Sequence, residues 1–392
     1  MFKKVRAIFH KTKSRGFGWL KQRLILEFRI PETWLGKKLK PINVWCYRFF
    51  GFLRNPLNLF RRQNAFVPDA LYLFYDLEVS PITFNFAEAL CMANLKRQHL
   101  KLSYLYVVIV PGPHGGLRKE MADYEQIIHK EARQWRIFNL VLPLIHLMPA
   151  CIGYTYCATR EEAEAIRKEV APRVYPEGYS TLFPLGISFF EGGRTSSMEM
   201  MGMQATPQAL IYLDQWLEQK SQGRKVIVIT LRQYAYMTQR NSNVEAWAKF
   251  AASLAKDEYF VVIVPDTEMA MTDSSFPLKG FQHFTEACWN VELRIALYEK
   301  AYLNLGINNG PFALCWLNRW CRYIMFKIIT EEVMQTTEAA LRNHGFIPNE
   351  DPPFSTQFQK WIWEPDSLAI IHKAFNSMVQ LIEKENIHYA NA

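Results

Sequence analysis

Apolar positions in the middle of the chain switch between two spacings. Val226–Leu231 is a short, mostly β-branched run, which is typical of a strand buried on both faces of a parallel sheet. Val244–Leu254 carries its apolar residues at helical spacing, and Tyr259–Val264 is a second β-branched run. The order strand, helix, strand predicts a βαβ unit.

The same alternation occurs on both sides of this unit. Strands are predicted at 70–75, 105–110, 302–307 and 323–328, and helices at 117–136, 159–170, 207–219, 281–298 and 367–385, with a further helix ending near Lys96. Alternating strands and helices indicate the α/β class. We expect two Rossmann-like domains facing a cleft, an N-terminal one at 65–205 and a C-terminal one at 206–366. A helix within 367–392 would then pack across the sheet or back on the first domain.

Charge sets the first 64 residues apart. They hold 16 Lys and Arg against Glu27 and Glu32, a net charge of +14, whereas the rest, with 30 basic and 35 acidic residues, sums to −5. Phenylalanine, tryptophan and leucine are interleaved with the basic residues, a pattern typical of segments on anionic membrane surfaces. A solvated arm and nucleic-acid binding are the alternatives, but no nucleic-acid-binding motif is present. We expect residues 1–64 to be a basic amphipathic extension that binds the membrane rather than nucleic acid.

Cysteine usage and hydropathy indicate a compartment. The seven cysteines are scattered without a CxxC pair, which favours reduced thiols and no structural metal site. Charged residues interrupt every apolar stretch before residue 40, so no signal peptide is expected. Leu140–Ile152 is too short to span a membrane and contains His146 and two prolines. These features predict a cytoplasmic protein, peripheral on the cytoplasmic face of the inner membrane.

Two arginines follow the central strand. Arg232 comes directly after it, and Arg240, Asn241 and Ser242 precede the helix that starts near Val244. Open α/β sheets bind ligands at the carboxyl ends of their strands, and guanidinium groups favour anions. The sequence therefore predicts a site for a phosphate-bearing substrate. Asp266 and Glu268 follow the next strand of the unit.

A second candidate lies after the predicted strand 302–307. Asn309, Gly310 and Pro311 form a turn that leads into a helix. Glycine allows close backbone approach, proline suits a first helical turn, and the free N–H groups there would face a phosphate. A plain strand-to-helix turn is the alternative, since Asn-Gly-Pro is common in turns.

Two residues of the first half are candidates for a general base. Asp76 ends the predicted strand 70–75, and His114 lies in a Gly- and Pro-rich loop after 105–110. That loop matches neither a Walker motif nor a dinucleotide fingerprint. Either side chain could remove a proton from an acceptor hydroxyl, and ordinary turn residues are the alternative for both.

The chain resembles GT-B glycosyltransferases at these positions. Leu231-Arg232-Gln233, Arg240–Asn243, Trp247 and Val264–Asp266, with the 308–311 turn, look like bacterial GT-B-like proteins of surface-polysaccharide biosynthesis, and the turn is also similar to that of heptosyltransferase-type enzymes. The resemblance covers roughly 69–385 in architecture, with its specific residues mostly within 226–312. The EX7E pattern of many retaining members is not evident, which favours inversion.

This resemblance implies transfer of a sugar from a nucleotide-sugar donor to a glycan or lipid-linked acceptor, with no metal or other cofactor. The donor diphosphate would contact a set of basic and small residues: Arg232, Arg240, Asn241, Ser242, Asn309, Gly310 and Pro311. Asp266 and Glu268 would bind the donor nucleoside. Asp76 or His114 would deprotonate the acceptor.

Two other functions fit the same architecture. The protein could be a nucleotide-sugar epimerase, or a non-catalytic assembly protein of polysaccharide synthesis that keeps the fold. A screen of nucleoside diphosphates and their sugars by thermal shift distinguishes the three.

Overall fold

The computed structural model describes residues 67–187, 200–271, 278–343 and 345–390. The chain divides into two compact units, Met1–Val67 and Pro68–Ala392. The basic extension predicted at 1–64 lies outside the described residues, and the description below concerns the second unit.

The first half of this unit is a four-stranded, all-parallel sheet in the order β3-β2-β1-β4. Its strands are β1 (Ala70–Asp76), β2 (Tyr104–Val110), β3 (Cys151–Tyr156) and β4 (Val174–Tyr175). Its helices are α1 (Asn85–His99), α2 (Ala122–Ile127), α3 (Lys130–Arg136), α4 (Leu142–His146) and α5 (Arg160–Val170). β1 is buried along its whole length, as expected for a central strand of apolar residues.

The second half is a six-stranded parallel sheet in the order β10-β9-β8-β5-β6-β7. Its strands are β5 (Lys225–Thr230), β6 (Tyr259–Val264), β7 (Gln282–His283), β8 (Leu303–Ile307), β9 (Tyr323–Phe326) and β10 (Gln359–Trp361). Its helices are α6 (Pro207–Ser221), α7 (Val244–Ser253), α8 (Val291–Lys300), α9 (Ala313–Trp316), α10 (Glu338–Asn343) and α11 (Leu368–Ala390). The predicted α/β class and the βαβ unit β5-α7-β6 are confirmed.

Two predicted helices are wrong in extent. The one expected at 117–136 is the pair α2 and α3, because Ile128 leaves helical geometry and buries its side chain. The one expected at 281–298 is only α8, which Asn290 caps through its side chain. The residues before α8 form β7 and a short 3-10 turn, since His283 pairs with Ile263 of β6.

One apolar core joins the two sheets. A single cluster of buried side chains includes Leu73 and Val107 of the first sheet and Val228 and Val262 of the second. The division into domains at residue 205 stays a prediction.

The segment between the sheets is bonded to both halves. Gly202 forms an antiparallel bridge with Asn318. The Gln204 N–H donates to the Leu147 carbonyl oxygen at 2.8 Å, and the Met203 N–H donates to that of Leu317 at 3.1 Å.

The C-terminal helix α11 packs on the second sheet. Its residues Ile371, Phe375 and Met378 belong to a second buried cluster, together with Ile227 of β5 and Phe250 of α7. Of the two positions predicted for this helix, across the sheet or back on the first domain, these contacts correspond to the first. The apolar stripe of α11 matches the outer face of the second sheet, which it covers beside α7.

Candidate functional site

A cavity of about 980 Å³ opens at the carboxyl ends of β5, β6 and β8. Residues of both halves line it. From the first half these include Phe84, Glu88, Tyr124 and Arg136, and from the second half Arg232, Arg240, Asp266, Glu268, Arg294 and the turn Asn308–Pro311. The volume is that of a site for a sizeable small molecule.

Arg232, directly after β5, is buried and lines the cavity. Its guanidinium donates to the carbonyl oxygens of Tyr236 and Met237 at 2.6 and 3.0 Å and also to the Asn241 side chain. Burial lowers the pKa of Arg232. Its charge therefore holds the following loop in place while facing the cavity.

Arg240 stands at the end of that loop. It donates to the Asn308 carbonyl oxygen at 3.0 Å, and no carboxylate of the described residues forms an ion pair with it. Burial and, to a smaller extent, the neighbouring Arg232 guanidinium lower the pKa of Arg240 to about 10. Two arginines thus lie side by side on one wall, which is a costly arrangement unless an anion binds there.

The turn after β8 supplies a further donor. The Asn309 side-chain oxygen accepts the Phe312 N–H at 3.0 Å, which fixes the orientation of the amide. The buried Asn309 Nδ2 then has no hydrogen-bond partner among the described residues. A buried donor without a partner is unfavourable in the free protein. Gly310 and Pro311 line the cavity next to it.

Two carboxylates lie on the adjoining wall. Asp266 accepts the Gln233 N–H at 3.3 Å, and burial raises its pKa. Glu268 is more exposed than Asp266. Its pKa is nevertheless raised, first by loss of solvation of its carboxylate and then by the negative charge of Asp266. The structure thus brings the predicted acids to the same cavity as the predicted arginines.

Asn241 and Ser242 do not line the cavity. Ser242 Oγ accepts the Arg232 N–H at 2.9 Å. The Asn241 side-chain oxygen accepts hydrogen bonds from the Tyr234 N–H and from Arg232. Its amide nitrogen donates to the Tyr234 carbonyl oxygen. Both side chains position Arg232 instead of facing a ligand.

The two predicted bases lie away from the cavity. Asp76 is fully buried, and its carboxylate accepts two bonds from Arg160, at 2.8 and 2.9 Å, and one from Tyr179 at 2.7 Å. A carboxylate saturated in this way has no contact with an acceptor. His114 is exposed in its loop and is not among the residues that line the cavity. We therefore assign neither residue as the base.

Three residues of the site have no counterpart in the sequence analysis. Arg136 donates to the Tyr234 hydroxyl at 2.8 Å and so bonds the first half to the second. Arg294 is buried in α8 and donates to the Ala287 carbonyl oxygen at 2.7 Å. Glu88 lies half-buried on α1, where it is the only acid of an otherwise apolar stretch, Phe86–Leu90. A single acid in an apolar stretch is a sequence signal that could have pointed to Glu88. The sequence carries no such signal for Arg136 or Arg294.

Within residues 67–187, 200–271, 278–343 and 345–390, no three His, Cys, Asp or Glu side chains are placed to hold a metal ion. In the same residues no helix has the length and apolar character to cross a membrane.

No protein-family model and no curated protein sequence matches the chain. Among solved structures, a family 9 glycosyl transferase from Veillonella parvula DSM 2008 is 8% identical, with a TM-score of 0.41 over 66% of this chain and 80% of that one. The E. coli ADP-heptose LPS heptosyltransferase II is 12% identical, with a TM-score of 0.38 over 80% and 99%. The wall teichoic acid polymerase TagF is 11% identical, with a TM-score of 0.30 over 83% of each.

Proposed function

We propose that this protein transfers a sugar from a nucleoside diphosphate sugar to a hydroxyl group of a glycan or lipid-linked acceptor. The observation that carries the proposal is the wall formed by Arg232, Arg240 and Asn309. Arg232, Arg240 and Asn309 line one cavity, and the buried Asn309 amide nitrogen has no hydrogen-bond partner among the described residues. This combination of positive charge and directed donors suits a diphosphate.

The same wall explains how transfer would proceed. Charge builds up on the diphosphate as its bond to the sugar breaks, and fixed cationic donors stabilise that charge without rearranging. Arg232 is held rigidly by the backbone of its loop, so it is preorganised for this role. We assign to the reaction a metal-independent course and a single displacement, which inverts the anomeric carbon.

The other walls accommodate the remaining parts of the substrates. Asp266 and Glu268 would accept hydrogen bonds from the donor ribose or base. The first sheet would face the acceptor, so that the two sheets act as the two halves of a GT-B-like arrangement. The basic segment 1–64 would hold the protein at an anionic membrane surface on the cytoplasmic side, where a lipid-linked acceptor is found.

A thermal-shift screen with ADP, UDP, GDP, CDP and their sugars tests the proposal. A ligand at one hundred times its dissociation constant should stabilise the protein by about 2.7 kcal/mol. No shift with any of these ligands would exclude the proposed donor site. Conversion of the sugar without an acceptor would instead favour an epimerase.

The variant Asn309→Asp sharpens the test. Aspartate keeps the side-chain oxygen that caps the turn but replaces the free donor with a negative charge. We expect nucleotide affinity to fall about tenfold or more, since a hydrogen bond to a charged oxygen is worth about 1.5–3 kcal/mol. Asn290→Asp is the matched control, because Asn290 caps α8 by the same bond and is exposed. Equal affinities in both variants would contradict the role of Asn309.

A further inference from the structure

Glu88, in the first half, lines the same cavity as Arg232, Arg240 and Asn309. It lies in the first turns of α1, four residues after Phe84, and both residues line the cavity. Residues four apart share one face of a helix. Phe84 touches the turn after β8, since a methyl group on Gly310 would lie 3.2 Å from its ring. The face of α1 that carries Glu88 is therefore placed against the turn that carries Asn309.

A hydrogen bond orients the Glu88 carboxyl group, but no positively charged side chain of the described residues pairs with it. Thr83 Oγ1 donates to the Asn85 side-chain oxygen at 2.6 Å, so the Asn85 Nδ2 is directed at Glu88, 3.5 Å away. No cation of the described residues forms an ion pair with Glu88. A half-buried acid without a counter-ion is costly as a carboxylate and is better explained by a task than by stability.

The surroundings of Glu88 affect its protonation. Burial raises the pKa of Glu88 to about 8, and the hydrogen bond from Asn85 offsets this only in part. Tyr75 of β1 lies beneath it and donates its hydroxyl proton to the Pro81 carbonyl oxygen, while Arg118 on the segment after β2 is paired with Glu120. Cys91 of α1 is the next titratable group on its own helix. Arg240 and Glu268 line the same cavity.

We propose that Glu88 is the catalytic base of the transfer reaction. This inference rests on the proposed function. The Glu88 carboxylate takes the proton of the acceptor hydroxyl, and the acceptor oxygen forms a bond to the anomeric carbon. The bond between that carbon and the phosphate oxygen breaks, and the electron pair leaves with the nucleoside diphosphate. Glu88 then returns its proton to solvent.

Turnover with water as acceptor tests this role. The probe is whichever of UDP-glucose, GDP-mannose or ADP-glucose shifts the melting temperature of the full-length protein most, and release of nucleoside diphosphate is measured from about pH 6 to pH 9.5. We expect the wild-type rate to rise with pH and level off above about pH 8, where Glu88 is ionised. In Glu88→Gln the rate of nucleoside diphosphate release should fall about a hundredfold or more, because general-base catalysis contributes that much. The remaining rate should not depend on pH. Glu131→Gln, an exposed acid of α3, should keep the wild-type profile.

A second measurement needs no turnover. A raised pKa in the folded state means that the protein releases a proton on unfolding, so stability falls as pH rises from about 4.3 to about 8. Glutamine stays neutral and has the shape of the protonated acid. The melting temperature of Glu88→Gln relative to wild type should therefore increase across this pH window and be constant above it. Glu131→Gln should show no such trend.

The outcomes separate the two proposals. If none of the nucleotides shifts the melting temperature of the protein, the proposed function is refuted. A protein that binds the nucleotide but releases no diphosphate at pH 9, or that releases it equally fast in Glu88→Gln, keeps the donor site and overturns the role of Glu88. A flat difference in melting temperature between wild type and Glu88→Gln also overturns it.

Discussion

Arg232 and Arg240 divide the work of one site. Arg232 uses its donors on backbone oxygens of the loop that follows β5, whereas Arg240 makes one bond to the Asn308 carbonyl oxygen. The first guanidinium fixes the loop, and the second keeps donors for a ligand. A guanidinium has five donors in a rigid fork, so lysine would replace neither of them well.

Asp76 is expected to stabilise the fold rather than take part in the chemistry. Asp76→Asn breaks a buried ion pair with Arg160 and should lower the free energy of unfolding by about 3 kcal/mol. Urea denaturation measures this loss, and the exposed Asp257→Asn should change stability by less than about 0.5 kcal/mol. If Asp76→Asn kept its stability but lost turnover, Asp76 would have to be reconsidered as the base.

At this scale the sequence predicted which residues after the strands of the second sheet line the cavity better than it predicted those of the first half. Arg232 and Asn309 follow the ends of β5 and β8 closely, and Arg240 ends the loop after β5. Because the carboxyl ends of parallel strands meet at one edge, their convergence could be foreseen. Glu88 lies within a helix, where only the packing of α1 against the 308–311 turn reveals that its side chain enters the cavity. Asp76 also ends a strand, but its pairing with Arg160, which is distant in sequence, could not be read from the pattern.

Among the elements, the turn after β8 depends on a single glycine. A methyl group on Gly306 would lie 2.8 Å from the ring of Phe312 and 3.0 Å from the Thr230 carbonyl oxygen. Phe312 is fully buried, and its N–H holds the Asn309 side chain. The absent side chain in β8 thus leaves room for Phe312, and the turn that carries Asn309 packs beside it and lines the cavity.

Gly306→Ala tests this arrangement. We expect a loss of about 1–3 kcal/mol in the free energy of unfolding from overpacking, together with weaker nucleotide binding as Phe312 and Asn309 move. Urea denaturation and thermal shift with the best nucleoside diphosphate give the two values. Gly280→Ala is the control, because a methyl group there would meet no atom within 4 Å. Unchanged nucleotide binding in Gly306→Ala would show that the turn does not depend on this packing.

The strands were the most predictable elements, because β-branched runs such as β5 and β6 leave few alternatives. The ends of the helices were less predictable from the sequence. Ile128 interrupts α2 and α3 because its side chain turns into the core, which is a tertiary effect that helical spacing does not record. The short strands β4 and β10, of two and three residues, carry too little pattern to be recognised at all.

At the scale of the whole molecule, charge and core lie in different parts of the chain. The core cluster that includes both sheets belongs to Pro68–Ala392, whereas the excess positive charge belongs to residues 1–64. This separation predicts that nucleotide binding and membrane attachment can be lost independently.

Deleting residues 1–66 tests the separation. Nucleoside diphosphates should still raise the melting temperature of the truncated protein. The truncated protein should no longer sediment with vesicles of phosphatidylcholine and phosphatidylglycerol. Binding of the full-length protein should weaken between about 0.1 M and 1 M salt, because the Debye length falls from about 10 to about 3 Å. Vesicle binding that survives the deletion would place the membrane contact elsewhere.

The segment from Gly202 to Gln204, bonded to Asn318 and Leu317 on one side and to Leu147 on the other, determines how a ligand would be selected. A large swing of one sheet against the other would have to break these bonds and open the shared core. We therefore expect the cavity to keep nearly the same dimensions with and without a ligand. Recognition then depends on whether a molecule fits a preformed space, and discrimination between donors becomes a matter of size and shape rather than of closure.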